Sequence, residues 1–137
     1  MATKIFVNLP VKDLKRSVEF FTKLGFSFNE QFSDENATSM IIGEDIVVML
    51  LVDSFFRTFI PNKKISDAKK STEVILCLSA DSRLQVDEMV RLAVEGGATA
   101  SELKQDHGWM YGHGFEDLDG HQWEVMYMDT TAIPENP

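Results

Sequence analysis

The sequence predicts an α+β protein made of two tandem βαβββ units, and three observations carry that prediction. Strand patterns, either alternating or continuously apolar, are interrupted by two long stretches with apolar residues at helical spacing. Each of those stretches follows a residue suited to cap a helix and ends at glycine. The same order of strand, capped helix, glycine and three strands recurs after roughly 70 residues, which marks an internal repeat.

The first strand is read over residues 4–11, with Ile5, Val7 and Leu9 on one face and Phe6 and Asn8 on the other. Pro10 has no N–H and is expected to end the regular ladder. Asp13 stands where a side chain caps a helix, in which Leu14, Val18, Phe21 and Leu24 fall at helical spacing. Gly25 supplies its stop. Residues 26–32 alternate and read as a strand, followed by a turn at 33–36, a strand at 37–42 and a turn at 43–45. The apolar run 46–52 reads as a strand buried on both faces. Within 53–71 the pattern fails. Phe55, Phe56, Phe59 and Ile60 fit a short helical turn that seals the end of the core, and 61–71 reads as a linker.

The second unit repeats the plan. A strand at 73–80 leads to Asp81 or Ser82 as helix cap, with Leu84, Val86, Met89, Val90, Ala93 and Val94 on the apolar side. Gly96-Gly97 ends that helix. Residues 98–104 read as a short strand, 105–108 as a turn and 109–116 as a strand. Asp117-Leu118-Asp119-Gly120 reads as a tight turn, because glycine after aspartate suits a residue with positive φ. In the last strand Trp123, Val125 and Tyr127 alternate with Gln122, Glu124, Met126 and Met128. The units therefore span 1–60 and 72–129 of a single domain 1–137, with a polar tail over 130–137.

A formal net charge of −9 argues against nucleic acid or an anionic membrane surface as partner, since both need clustered Lys and Arg. Lys63, Lys64, Lys69 and Lys70 do cluster, and read as a solvated loop face. The N-terminus enters a strand pattern at once, so no secretory leader is expected. No apolar run approaches the roughly 20 residues of a membrane helix. The one cysteine, Cys77, excludes an internal disulfide and fits a reducing compartment, so a cytoplasmic location is expected.

Three stretches resemble the vicinal oxygen chelate superfamily, which includes glyoxalase I, extradiol dioxygenases and bleomycin-resistance proteins. Val11-Lys12-Asp13-Leu14-Lys15-Arg16-Ser17-Val18-Glu19-Phe20-Phe21 looks like that family's first strand-to-helix junction. Leu24-Gly25-Phe26 looks like its helix exit. Glu116-Asp117-Leu118-Asp119-Gly120, with Trp123-Glu124-Val125 after it, looks like its last hairpin. Bacterial predicted lactoylglutathione lyases are the nearest in character. The resemblance implies a curved, half-barrel mixed sheet with helices outside, its concave faces enclosing a site. In metal-using members, His, Glu or Gln side chains from four strands hold a divalent ion that acts as a Lewis acid.

This chain matches that ligand set at one position. Glu124 matches the last position. Phe6, Met49 and Val74 stand at the other three, and Phe and Val cannot ligate while a Met thioether suits such ions poorly. Glu73 is one residue out of register. Of His107, His113 and His121, only His113 lies within a strand, between Gly112 and Gly114. Glu124 and His113 are therefore the only candidate metal ligands, and the usual four-ligand site is not expected, although a divalent metal is not excluded.

Alternation predicts that Met49, Met126 and Met128 face the concavity, with Phe6, Asn8, Val74, Leu76 and Leu78, while Cys77 faces the helix. Tyr111 and His113 are added as ligand contacts. The first functional reading is a small-molecule-binding protein without the usual metal, in which Glu124 and Asn8 supply polarity. Glu124 is then a base or hydrogen-bond acceptor, or else a carboxylate satisfied by Asn8, Gln122 or Tyr111. The second is a glyoxalase-I-like lyase or isomerase with Glu124 as catalytic base and an atypical metal site. The third is a non-catalytic dimeric interaction protein. A homodimer is expected in any case.

Overall fold

Asp13 starts the first helix by accepting a hydrogen bond from the Arg16 amide at 3.1 Å, and Gly25 follows its end with φ of 104°. The helix so bounded is α1 (Leu14–Lys23), which follows β1 (Ile5–Val11). The computed structural model describes residues 1–135. Positions 136 and 137, the end of the expected tail 130–137, lie outside the described residues. The chain forms two units, Met1–Asp67 and a second from Ala68 onward, and the division falls inside the stretch read as a linker.

In the first unit, β2 (Ser27–Asn29), β3 (Ala37–Gly43) and β4 (Ile46–Val52) complete an open sheet of order β1-β4-β3-β2, and α2 (Asp53–Arg57) follows. β1 runs parallel to β4, which makes the sheet mixed. Val48, Leu50 and Met40 pack with Leu9 and Val11 against the buried Phe20 and Phe21 of α1. Three expectations need correction here. Pro10 does not end β1 but sits within it, opposite Leu51; an edge strand tolerates a residue without an amide proton. Residues 26–32 are not one strand. Asn29 accepts from the Gln31 amide and turns the chain into a 3₁₀ turn over Glu30–Phe32. β4 is not buried on both faces along its length: Ile46 at its start is exposed, and Val47 and Met49 on the face away from α1 are half-buried, while Leu51 at the end of that face is buried.

The second unit contains β5 (Ile75–Ser79), α3 (Arg83–Glu95), β6 (Thr99–Ala100), β7 (Gln105–Asp106), β8 (Met110–Glu116) and β9 (Gln122–Met128). The order is β5-β9-β8-β6, with β7 also on β8 and β5 parallel to β9. The cap of α3 is Ser82, whose hydroxyl accepts from the Gln85 amide at 3.1 Å. Gln85 in turn accepts from the amide of Asp81, the residue before the cap, which ties the entering chain to the first turn. Val86, Val90 and Ala93 of α3 are buried with Phe115, Trp123 and Val125 of the sheet. Leu84 and Val94, expected on that side, are exposed. Of the strand expected over 98–104 only β6 forms, and the expected turn at 105–108 begins with β7 instead; both pair with β8.

Candidate functional site

The last hairpin is fixed by a buried carboxylate. Asp117 accepts hydrogen bonds from the Asp119 and His121 amides and from Trp123 Nε1, each at 2.9 Å. Gly120 takes φ of 92° to close the turn, as its sequence position predicts. Burial pushes the Asp117 carboxyl above its ordinary range, and the neighbouring His121 and the three donors oppose that shift. The indole held by Asp117 stacks with Phe115 at 6.4 Å, on the α3 side of the sheet. This anchors the register of β8 against β9 and so decides which residues reach the opposite, open face.

On that face the register aligns Cys77 of β5, Glu124 of β9 and Gly114 of β8 in one row. The next row holds Ser79, Met126 and Gly112, and Met128 pairs with Met110 beyond it. Gly114 has a steric role. A Cβ built there meets the Glu124 carboxylate atoms at 2.5 to 2.7 Å, so the acid lies across the bare backbone of β8. A Cβ at Gly112 meets Met126 Cε at 3.8 Å, so the thioether lies alongside in the same way. No hydrogen bond or ion pair engages the Glu124 carboxylate among the described residues. The three residues expected from sequence to satisfy it are bonded elsewhere. Asn8 Nδ2 donates to the Phe6 carbonyl, Gln122 Nε2 to the Trp123 carbonyl, and Tyr111 to Asp87 of α3. The exposed Cys77 thiol is pushed above its ordinary pKa, first by partial burial and then by the Glu124 charge, so it stays protonated at neutral pH.

Several predicted site residues lie elsewhere. Leu76 pairs with Trp123 and Leu78 with Val125, which puts both on the α3 side. Cys77 is on the open face, so the parity read for this strand is inverted. Val74 precedes β5 and is 54% exposed. Tyr111 and His113 are also on the α3 side: the Tyr111 hydroxyl reaches Asp87 at 2.5 Å, and His113 Nε2 lies 2.9 Å from the Ser101 carbonyl. His113 is thus separated from Glu124 by the sheet itself. In the first unit, Phe6 pairs with Val47 and Asn8 with Met49, all on the sheet face away from α1, as alternation predicts. Ser39 continues the row from Met49 and is buried, a contribution that its neighbours in sequence did not signal.

The donor set does not suit the divalent ion that the resemblance implies. Among the described residues no three His, Cys, Asp or Glu side chains are grouped to hold a metal. Two grooves lie apart from the sequence candidates. One, of about 590 Å³, runs between α1 and the β2–β3 side of the first unit, floored by Leu14, Val18 and Phe28. The other, of about 400 Å³, lies at the start of α3 beside Arg83 and Tyr127. Arg83 is already committed there: it makes two bonds to Asp106, at 2.8 and 2.9 Å, and lies 4.8 Å from the Tyr111 ring centre.

Residues 3–43 match the family model described as bleomycin resistance protein-like N-terminal. Among solved structures, the chain is similar to a hypothetical protein from S. aureus, with 26% identity, a TM-score of 0.79 and coverage of 93% of this chain and 95% of that one. It is similar to a glyoxalase/bleomycin resistance protein/dioxygenase family enzyme from Burkholderia phytofirmans, with 15% identity, a TM-score of 0.76 and coverage of 90% and 96%. It is also similar to a fosfomycin resistance protein, FosX, from Mesorhizobium loti, with 14% identity, a TM-score of 0.68 and 96% of each chain covered. No curated protein sequence matches it.

Proposed function

From a chain with the vicinal oxygen chelate fold, whose first unit matches the bleomycin-resistance-like N-terminal family, we propose a small-molecule-binding protein that works without the superfamily's four-ligand metal centre. The observation that carries this reading is the open face of the second unit. At its centre the Glu124 carboxylate, with no bonded partner among the described residues, lies on bare glycine backbone and beside the Met126 thioether. A directional polar group beside adaptable thioether and bare backbone is how small-molecule sites are often composed. The first unit adds Phe6, Asn8 and Met49 on its own open face. The names of the relatives from Burkholderia phytofirmans and Mesorhizobium loti agree with a role toward small molecules.

Glu124 also favours a second reading, a glyoxalase-I-like lyase or isomerase in which its carboxylate takes a proton from carbon. That reading needs a Lewis acid or other oxyanion stabiliser that the donor set of either face does not assemble. The partner expected besides the ligand is a second copy of the chain. Edge strands β1 and β5, with Ile5 and Ile75 exposed, offer sheet edges for pairing. The single exposed thiol agrees with a reducing, cytoplasmic setting; no helix of the described residues is long and apolar enough to cross a membrane.

Metal analysis of protein purified without chelators tests the proposal. Metal well below one equivalent, with no turnover of the methylglyoxal–glutathione hemithioacetal, is the expected result. A stoichiometric Ni, Zn, Fe or Mn content would overturn the metal-free reading and restore the lyase.

A further inference from the structure

The chemistry of the ligand follows from which charges the two open faces carry and which they lack. On the open face of the second unit the register positions hold Glu124 and, one row away, Glu116 as the only charged side chains. On the open face of the first unit Phe6, Asn8, Val47, Met49, Ser39 and Leu51 are all neutral. Neither set contains Lys, Arg or His. An anionic ligand placed on Glu124 would meet a like charge with no basic group to offset it. A neutral donor would gain one ordinary hydrogen bond, whereas a cation would gain a charge-assisted one, roughly twice as strong.

The floor around Glu124 narrows the shape. Gly112 and Gly114 leave β8 without side chains for two successive open-face positions. Glu124 and Met126 lie flat across that bare stretch, about 6.8 Å apart along the strand. Cys77 borders the carboxylate on the other side. The result is a shallow tray with a carboxylate at one place and polarizable sulfur beside it. Thioethers make favourable contacts with aromatic rings. We propose that the second unit's open face takes a flat organic cation, a protonated amine or amidinium on an aromatic body, with the cation on Glu124 and the ring over Met126 and the glycine strip. The inference rests on the small-molecule reading above and adds the charge and shape of the ligand.

Three probes of nearly one shape test it on the full chain: benzamidine (cation), benzamide (neutral) and benzoate (anion). Titration calorimetry is expected to show benzamidine binding at least about tenfold more tightly than either other probe, with affinity falling as NaCl is raised. Glu124→Gln, which keeps the shape and removes the charge, is expected to lose at least about tenfold of that affinity. Cys77 is the only thiol, so its alkylation by iodoacetamide reports the location. Benzamidine should slow it in the wild type and not in Glu124→Gln. Benzamide binding as well as benzamidine, to wild type and variant alike, would sink the cation assignment and leave the small-molecule reading standing. Failure of all three probes, or benzamidine binding with no effect on Cys77, would overturn the assignment of this face. Failure of all three together with a stoichiometric metal would overturn the underlying reading too.

Discussion

Asp117 is the residue on which the second unit's site depends, although it does not touch the open face. It joins the turn to the sheet through two amides and one indole, and its side chain is buried. Asp117→Ala leaves the buried Trp123 indole and the two half-buried amides without their acceptor. The expected cost is about 2–4 kcal/mol, read as a lower urea midpoint with an unchanged m-value. Asp117→Asn keeps an acceptor oxygen and separates charge from geometry. The Asp117 carboxyl is raised in the folded protein, so the folded state holds its proton more tightly than the unfolded chain, where the value is about 3.9. Its protonation thus contributes stability that is full below that value and is lost as pH rises through the folded value. The stability advantage of wild type over Asp117→Asn should therefore shrink as pH is raised across that window. An advantage that grew with pH would mean that the three donors, and not burial, set the protonation of this group.

At the scale of elements, the caps and stops were legible in the sequence and the face of β5 was not. Asp13, Gly25 and Gly120 act through neighbours within four residues, and each does in the structure what its type and place predict. β9 was legible because one of its faces is aromatic and branched and the other is not. The stretch around β5 is apolar at Val74, Ile75, Leu76 and Leu78, so both parities look alike. Its facing is decided only by pairing with β9, some 45 residues further on in sequence, and one step of register exchanges Cys77 for Leu76 beside Glu124. The same non-local dependence hid the short extent of β6 within 98–104 and the presence of β7 in the expected turn, since both are held by β8 and neither by its own pattern. The α3 cap, left between Asp81 and Ser82 by composition alone, makes a prediction of its own. Ser82→Ala removes the acceptor for the Gln85 amide and should cost about 1 kcal/mol in urea unfolding. Asp81→Ala should cost a few tenths at most, because Asp81 contributes its backbone amide, and not its side chain, to the bond with Gln85. Equal losses for the two variants would contradict the Ser82 cap.

Over the whole molecule the charge balance sets the response to salt. The chain carries 22 acidic and 13 basic side chains, a formal −9, and self-repulsion of that size opposes a compact state. The ion pairs that salt would weaken, such as Arg83–Asp106 and Arg91 with Glu88 and Glu95, are exposed. Pairs of that kind contribute little, and many contribute nothing measurable. Asp106 and Glu88 are held below the usual carboxylate range by their arginines, but both stay ionised at neutral pH with or without salt. Screening therefore removes more repulsion than attraction. At pH 7 the thermal midpoint should rise by about 3 °C or more between roughly 20 and 500 mM NaCl, equivalent to about 1 kcal/mol for a chain of this size. Chloride is the right anion for the measurement, because sulfate would stabilise the fold by exclusion from its surface and mask the electrostatic effect. A midpoint that fell with NaCl would show that the exposed arginine pairs outweigh the net repulsion. The same titration with Glu124→Gln, one negative charge fewer, should start from a slightly higher midpoint in low salt and converge on the wild type in high salt, since only the unscreened charge distinguishes the two chains.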